Sequence, residues 1–171
     1  MTEKGLSASE SIFSVLDLPT EQNPSATSNP LTLSKGKIEF KNISFSYGTK
    51  NALKDFDLTI DPGQTVALVG QSGSGKSTLV SLLLRFYEPQ SGSILIDGQP
   101  ICDASLQSLR ESIAFVSQQT TLFNDSIAAN ITYGKELNQS HQQLEQAAVS
   151  ANAMDFIAAQ NDKFETHVGE A

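Results

Sequence analysis

Hydrophobic and polar side chains alternate through residues 38–47. The apolar positions are Ile38, Phe40, Ile43, Phe45 and Tyr47. Their phase slips by one position at Lys41-Asn42. Alternation with a period of two is typical of a half-buried strand, and a one-residue slip within it is typical of a β-bulge. The segment therefore predicts a strand, a bulge and a second strand.

Further elements are predicted downstream by the same kind of pattern. Strands are expected over residues 56–60, 66–69, 94–96 and 113–116, the first ending in the turn Asp61-Pro62-Gly63 and the third in Asp97-Gly98. The run over residues 66–69 is unbroken and apolar, as in a strand buried on both faces. Helices are expected over residues 79–86, 104–111, 140–151 and 154–159, the third opened by a capping box of Ser140 and Gln143. Mixed helices and strands indicate an α/β fold.

The two ends of the chain differ from this central part. Residues 7–18 carry Ile12, Phe13, Val15 and Leu16 on one side of a helical wheel, and Ser7 with Glu10 would cap such a helix. Residues 19–36 are rich in Pro, Ser, Thr and Asn and offer no apolar face, which predicts a linker. A globular domain is then expected from residue 37 onward. Residues 164–171 show no completed element.

Composition narrows the functional classes. The 171 residues carry 11 Lys plus Arg against 19 Asp plus Glu, a net charge of −8, which repels nucleic-acid phosphates and anionic lipid headgroups. We therefore expect no nucleic-acid partner. Cys102 is the single cysteine, and His141 and His167 make no metal-ligand spacing with it. No apolar stretch approaches the roughly 20 residues of a membrane span, and no secretory signal is evident.

The strongest chemical signal follows the apolar run at residues 66–69. It is a glycine, four residues and Gly-Lys-Ser, extended by a threonine: Gly70, Gln71, Ser72, Gly73, Ser74, Gly75, Lys76, Ser77 and Thr78. Placed between a strand and a helix, this pattern predicts a P-loop whose backbone amides and helix N-terminus bind phosphates. Lys76 would reach the β and γ phosphates, Ser77 would ligate Mg²⁺ and Thr78 would contact the α phosphate. A glycine-rich turn without a ligand is the alternative.

The wider pattern from about residue 37 onward resembles the nucleotide-binding domain of ABC transporters, exporter type. The resemblance implies a P-loop NTPase fold with a RecA-like core and an antiparallel β subdomain. In Phe45-Ser46-Tyr47-Gly48, Tyr47 matches the aromatic residue that stacks on adenine in that family. An ordinary strand aromatic is the alternative role for Tyr47. Residues 85–89 and 92–98 also match the exporter subfamily.

A second matching segment, residues 113–119, resembles the Q-loop of the family. The resemblance implies that Gln118 contacts Mg²⁺ and the attacking water, with Gln119 as the fallback because the register is not fixed by one sequence. A solvated loop glutamine is the alternative. Lys76 and Gln118 are thus the residues assigned to catalysis, and Ser77 and Gln118 those assigned to the metal.

Residues 122–131 resemble the surface of exporter domains that receives the coupling helices of the membrane part. An exposed Phe123 would be a natural docking contact, and simple core packing is the alternative. Together with residues 153–157 and 168–170, the pattern is similar to bacterial exporters of lipid A and lipopolysaccharide core. Residues 1–18 would then be the cytoplasmic end of the last transmembrane helix.

Several motifs of the family do not occur in these 171 residues. They are the Leu-Ser-Gly-Gly-Gln signature, the Walker B aspartate with its catalytic glutamate, and the switch histidine. The chain alone is therefore predicted to bind Mg-ATP weakly and to hydrolyse it negligibly. An apolar edge at residues 66–69, left without the neighbouring Walker B strand, is predicted to promote aggregation.

The resemblance implies the ATP-binding part of a homodimeric exporter at the cytoplasmic face of the bacterial inner membrane. ATP, Mg²⁺, a second copy of the subunit and coupling helices are the implied cofactors and partners, and a lipid A-like or other hydrophobic molecule is the implied substrate. The sequence leaves two other classes open. One is a stand-alone nucleotide-binding module, soluble and cytoplasmic, without hydrolysis or transport. The other is a soluble P-loop kinase or DNA-repair ATPase.

Overall fold

The computed structural model describes residues 12–14, 16–17, 29–134 and 140–169. The chain divides into two compact units, residues 1–114 and 115–171. Of the helix predicted over residues 7–18, residues 12–14 and 16 are helical, and the Asp17 backbone N–H donates to the Phe13 carbonyl at 2.8 Å. The predicted Ser7–Glu10 cap, Val15 and residues 19–28 of the predicted linker lie outside the described residues. No helix among the described residues has the length and hydropathy to cross a membrane.

An antiparallel sheet organises the first unit. Its strands are β1 (Ile38–Tyr47), β2 (Lys50–Ile60), β3 (Ser91–Ile96) and β4 (Gln99–Pro100), in the order β2-β1-β3-β4. The register of β1 against both neighbours shifts between Phe40 and Ile43–Ser44, and Asn42 takes a φ of 51°. The predicted bulge at Lys41-Asn42 is therefore confirmed, because the extra residue moves Ile43 back to the buried face.

Two helices accompany this sheet. Helix α1 (Lys76–Leu83) begins directly at the P-loop lysine, and α2 (Leu106–Glu111) is capped by Ser105, whose side chain accepts the Ser108 backbone N–H. Helix α1 has the predicted length of 8 residues but begins and ends three residues before the predicted range 79–86, whereas α2 begins two residues later than the predicted 104–111. The core that they cover includes Phe40, Ile43, Phe45, Leu53, Leu79, Leu82, Ile94, Ile96 and Leu109. Alternating strand residues and one stripe of each helix thus form a single apolar cluster.

Two predicted strands are not formed. Residues 66–69 form no strand and pair with no described segment, and Val69 is 89% exposed. Residues 113–116 are likewise unpaired, and Val116 is 87% exposed. An apolar run becomes a strand only when a neighbour completes its hydrogen-bond ladder, and no described segment does so here. The expectation of an unpaired apolar segment at residues 66–69 agrees with this exposure. The predictions of a buried strand at residues 66–69 and of a strand at residues 113–116 are wrong.

Residues 29–37 pack against the rest of the first unit, although the predicted linker, residues 19–36, includes all but the last of them. Leu31 is buried in the core, and its backbone N–H donates to the Ser108 hydroxyl at 2.8 Å. The Gln99 side-chain amide exchanges hydrogen bonds with the Thr32 backbone at 3.2 and 2.6 Å. The expectation that this segment has no apolar side chain to bury is thus wrong for Leu31.

The second unit is mainly helical. It contains α3 (Ile127–Thr132), α4 (His141–Ser150), α5 (Met154–Ala158) and a 3₁₀ turn at Lys163–Glu165, and it pairs β5 (Asp125–Ser126) with β6 (His167–Val168). The predicted capping box at the start of α4 is present in both directions. The 3₁₀ turn and β6 were not predicted. Ile127, Ala148, Ile157 and Phe164 form the core of this unit.

Candidate nucleotide-binding site

The P-loop meets helix α1 at Gly75. Gly75 is the residue before the first helical residue, with a left-handed φ of 89°. A Cβ at this position would lie 2.7 Å from the Ala52 carbonyl oxygen and 2.8 Å from Leu53 Cδ2 on β2. Only glycine combines that backbone conformation with so close an approach. The third glycine of the motif therefore fixes the loop against the sheet.

The Lys76 side chain folds back over the loop. Its ammonium donates to the carbonyl oxygens of Gly70 at 2.9 Å and Gln71 at 2.8 Å, and to the Ser74 hydroxyl at 3.2 Å. These bonds hold a positive charge across the mouth of the loop, and no carboxylate among the described residues pairs with it. Such a charge, beside oxygen atoms that are weaker acceptors than phosphate, suits an anionic ligand.

The N-terminus of α1 carries no side-chain cap and no acidic residue in its first turn. The first backbone N–H groups of a helix have no intrahelical acceptor, and they carry the positive end of the helix dipole. Anions commonly satisfy these groups. In α1 these N–H groups belong to Lys76, Ser77 and Thr78. The positive end of the helix dipole and the Lys76 ammonium would therefore attract an anion to the same loop.

One pocket of about 280 Å³ joins this phosphate end to an aromatic side chain. It is lined by Tyr47, Lys50, Ala52, Ser72, Gly73, Gly75, Lys76, Ser77 and Thr78. Tyr47 is 42% exposed at the end of β1. Of the predicted P-loop residues, Gly70, Gln71 and Ser74 do not line the pocket but contact the Lys76 ammonium. The structure thus brings Tyr47 to the P-loop, although about 30 residues separate them in sequence.

Tyr47 has two aromatic neighbours that do not line the pocket themselves. The Tyr47 ring lies 4.8 Å from the Phe45 ring and 5.2 Å from the Tyr87 ring, both nearly perpendicular to it. No role for Tyr87 was predicted from the sequence. The sequence feature that could have pointed to it is its position in Arg85-Phe86-Tyr87-Glu88-Pro89, directly after the P-loop helix.

Gln118 and Gln119 belong to the second unit, and both are exposed. The Ser117 hydroxyl donates to the Gln119 carbonyl. Phe123 is also exposed in this unit and stacks on Tyr133 with ring centroids 4.1 Å apart. Phe123 is therefore not a core residue, which was the alternative to a docking contact.

The two histidines and the cysteine do not line this pocket. His141 and His167 are exposed. Partial burial and the neighbouring Asp103 raise the pKa of the Cys102 thiol, which disfavours the reactive thiolate. Within the described ranges, no group of three His, Cys, Asp or Glu side chains could hold a metal ion.

Comparison with known proteins decides the family. The family model described as ABC transporter matches residues 53–168, a span that includes the whole P-loop and the glutamines at 118 and 119. The chain belongs to the ABC transporter family. This part of an ABC transporter has the fold of the ATP-binding domain, a P-loop NTPase fold with an antiparallel sheet.

Relatives of this ABC transporter chain agree on the subfamily. It is 53% identical to an ATP-dependent lipid A-core flippase of Saccharophagus degradans, over 98% of the chain and 28% of that protein. It is 49% identical to the flippase of the same name from Chromobacterium violaceum, over 98% of the chain and 29% of that protein. The chain thus spans less than a third of the length of the curated relatives it matches.

A solved structure shows the same arrangement. A bacterial Atm1-family ABC exporter with ATP bound superposes with a TM-score of 0.86 at 37% identity, covering 98% of this chain and 30% of that one. The resemblance to exporter-type ATP-binding domains is therefore confirmed at the level of both sequence and fold.

Proposed function

We propose that this chain binds Mg-ATP in the pocket between Tyr47 and the P-loop, as the nucleotide-binding part of an ABC exporter. The observation that carries the proposal is that Tyr47 and Lys76 line the same pocket. An aromatic face at one end and an uncompensated ammonium at the other match the two chemically different ends of a nucleoside triphosphate.

The phosphate end is provided by Gly70–Thr78. The Lys76 ammonium exchanges part of its bonds to Gly70 and Gln71 for the β and γ phosphate oxygens, which are stronger acceptors because they are charged. The uncapped N–H groups at the start of α1 bind phosphate oxygens in the same region. Thr78, which is buried beside the pocket, contacts the α phosphate.

Magnesium suits the oxygen donors available here. The Ser77 hydroxyl is exposed to the pocket beside Lys76, and Mg²⁺ is commonly held by one such protein oxygen together with phosphate oxygens and waters. When bound, the ion neutralises charge between the β and γ phosphates. From the resemblance to the Q-loop alone, we assign Gln118 to Mg²⁺ and the attacking water, and with Lys76 to catalysis.

The adenine end is Tyr47. Stacking of a base on an aromatic ring contributes about 1–3 kcal/mol and distinguishes bases poorly. Affinity for GTP close to that for ATP is therefore expected from this contact alone.

We also propose a substrate, a location and partners for the whole transporter to which this chain would belong. Two curated relatives are named lipid A-core flippases, so we assign a lipid A-like or other hydrophobic molecule as substrate and the cytoplasmic face of the bacterial inner membrane as location. A second copy of the subunit is the partner for ATP hydrolysis. The exposed Phe123, fixed on Tyr133, is the contact for the coupling helices of the membrane domain.

Calorimetric titration of Mg-ATP into the purified chain tests nucleotide binding. Lys76→Ala is expected to weaken affinity by about 10- to 100-fold, the value of one or two charge-assisted bonds. Lys54→Ala is the matched control, because Lys54 is an exposed lysine of β2 that does not line the pocket. Equal affinity of the Lys76→Ala and parent chains would refute the assignment.

Lipid export is tested separately in cells. The gene that encodes these residues, with its in-frame flanking sequence, is expressed in a bacterial strain depleted of its own lipid A flippase. Restored growth and outer-membrane lipid A, lost with Lys76→Ala, support the substrate assignment. Full nucleotide binding without any rescue would leave the chain as a nucleotide-binding module with another role.

A further inference from the structure

Three aromatic rings meet beside the candidate adenine position. Phe45, Tyr47 and Tyr87 contact one another with centroid distances of 4.8, 5.2 and 5.5 Å. The planes of Phe45 and Tyr87 each make an angle of 88° with the plane of Tyr47. Phe45 and Tyr87 both contact the Tyr47 ring and also contact each other, so together they restrict its rotation on the side that they cover.

The backbone alone does little to fix Tyr47. It is the last residue of β1, and the chain turns back at once through Gly48, whose φ is 58°, to Lys50 at the start of β2. Side chains at the tip of a hairpin have fewer neighbours than those in the middle of a sheet. Contacts from elsewhere in the fold must therefore hold the ring.

Tyr87 is well placed to do this, because the loop that carries it is fixed on both sides. Arg85 is buried and donates to the carbonyls of Ile101 at 3.0 Å and Ala104 at 2.9 Å. The Arg110 guanidinium lies 5.1 Å from the centre of the Phe86 ring and donates to the Leu84 and Arg85 carbonyls.

The C-terminal end of this loop, at Gln90, is also held by a hydrogen bond. The Gln90 backbone N–H donates to the Ser44 carbonyl on β1 at 2.9 Å. The segment therefore leaves the P-loop helix at Leu84 and returns to the sheet at Gln90 with little freedom. Tyr87, midway between these points, is presented as a rigid partner to a residue at a hairpin tip.

We propose that Tyr87 is a positioning residue that holds the Tyr47 ring in the orientation in which it stacks on the nucleotide base. This inference rests on the proposed function. It links the end of the P-loop helix, which binds phosphate at its start, to the base contact. Tyr87 does not line the pocket itself, so its effect is on the base and not on the phosphates.

The expected effect is confined to the part of the affinity that the base contributes. One aromatic pair is worth about 0.5–1.5 kcal/mol, which converts to roughly 2- to 12-fold. Tyr87→Ala should therefore weaken Mg-ATP binding by roughly 2- to 12-fold and leave binding of Mg-tripolyphosphate, which has no base, unchanged. Tyr87→Phe keeps the ring and should bind both ligands as the parent chain does.

The test measures dissociation constants of both ligands for the parent chain, Tyr87→Ala, Tyr87→Phe and Tyr47→Ala. Tyr133→Ala, which removes a tyrosine of the second unit, is the control. Loss of ATP affinity in Tyr87→Ala and Tyr47→Ala, with unchanged tripolyphosphate affinity, supports the inference. Loss in Tyr47→Ala alone overturns it and leaves the proposed function intact.

Two further outcomes separate the inference from its foundation. If the parent chain binds ATP no better than tripolyphosphate, Tyr47 does not hold the base, and both the adenine assignment and this inference fail while phosphate binding stands. If Tyr87→Ala loses affinity for both ligands, its fold is disturbed. The same two dissociation constants are then measured for Tyr87→Leu, which keeps the apolar bulk without a ring face. An ATP-specific loss in Tyr87→Leu supports the inference, and parent-like ATP binding overturns it.

Discussion

The Asp97 carboxylate accepts the backbone N–H of Gly36 at 3.0 Å. The same side chain accepts the backbone N–H groups of Ser34 at 2.7 Å, Lys35 at 2.9 Å and Lys37 at 2.9 Å. Asp97 also forms the turn between β3 and β4 with Gly98. One carboxylate thus fastens the segment that leads into β1 to the turn after the neighbouring strand β3.

These bonds make the first unit sensitive to acid. The N–H of Gly36, followed by those of Ser34, Lys35 and Lys37, holds the pKa of Asp97 well below its ordinary value. A lowered pKa in the folded state contributes stability above the unfolded pKa of about 4 and loses it as pH falls toward the folded pKa. We expect the urea midpoint of unfolding to fall between pH 6 and pH 3, and to fall less in Asp97→Asn.

Asp61→Asn is the matched control for this comparison, because none of the described residues donates a hydrogen bond to the Asp61 side chain, which lies in the Pro62-Gly63 turn. Its midpoint should follow the parent chain at every pH. Parallel curves for Asp97→Asn and the parent would mean that the four N–H bonds do not contribute to the acid transition.

Substitution of Gly75 should damage both folding and binding. Gly75→Ala places a Cβ 2.7 Å from the Ala52 carbonyl oxygen at a φ of 89°, and we expect a loss of about 1–3 kcal/mol in the free energy of unfolding. Gly63→Ala is the control, since its φ is 75° but no atom lies within 4 Å of the added Cβ. Gly63→Ala should lose about 1 kcal/mol and keep nucleotide affinity. Chemical denaturation with calorimetric titration checks both, and equal losses would contradict the packing argument.

Arg85 should be among the most sensitive charged positions. It is 7% exposed, and its guanidinium satisfies two buried carbonyls as well as pairing with Glu88 at 3.3 Å. Arg85→Ala removes the guanidinium donor from both carbonyls and leaves the Ile101 carbonyl only the Ala104 N–H at 3.4 Å, so we expect a loss of about 2–4 kcal/mol in unfolding free energy. Lys41→Ala, an exposed cation paired with Glu39, should lose less than about 1 kcal/mol. A loss below 1 kcal/mol for Arg85→Ala would show that water replaces the guanidinium.

Asn130 should control the loop that presents Phe123. Its side chain accepts the Phe123 N–H at 2.8 Å and donates to the Phe123 and Ser126 carbonyls, each at 3.0 Å. Asn130→Ala removes all three bonds at a cost of about 1–3 kcal/mol. Hydrogen exchange at the Phe123 amide should accelerate roughly 10-fold or more in that variant and stay unchanged in Asn161→Ala, an exposed asparagine of the same unit. Unchanged protection in Asn130→Ala would assign the order of this loop to the Phe123–Tyr133 stack.

Much of the candidate site could be predicted because its residues are contiguous. The P-loop works through local backbone geometry, so a run of nine residues carries its glycines, lysine and hydroxyls together. Tyr47 was predicted through the family resemblance, and the structure places it at the same pocket. Tyr87 was missed because its contact with Tyr47 joins positions 40 residues apart, and no local spacing signals such a pair.

The sequence-based predictions that were wrong concern segments whose structure depends on a neighbouring segment. Residues 66–69 and 113–116 have the composition of strands, yet no described segment pairs with either of them. Residues 29–37 have the composition of a linker, yet Leu31 enters the core and Asp97 binds their amides. For residues 29–37 the deciding partners, Ser108 and Asp97, lie far away along the chain.

The sequence by itself determined the phosphate-binding loop, the bulged strand Ile38–Tyr47, the turns at Gly63 and Gly98, and the cap of the helix that begins at His141. These features depend on φ preferences and hydrogen bonds within a few residues, which amino-acid identity controls directly. Only the tertiary structure decided the pairing of strands, the docking of residues 29–37, and the contact of Tyr87 with Tyr47. Such contacts close long loops, and their free energy comes from burial and hydrogen bonds that exist only once the distant partners have met.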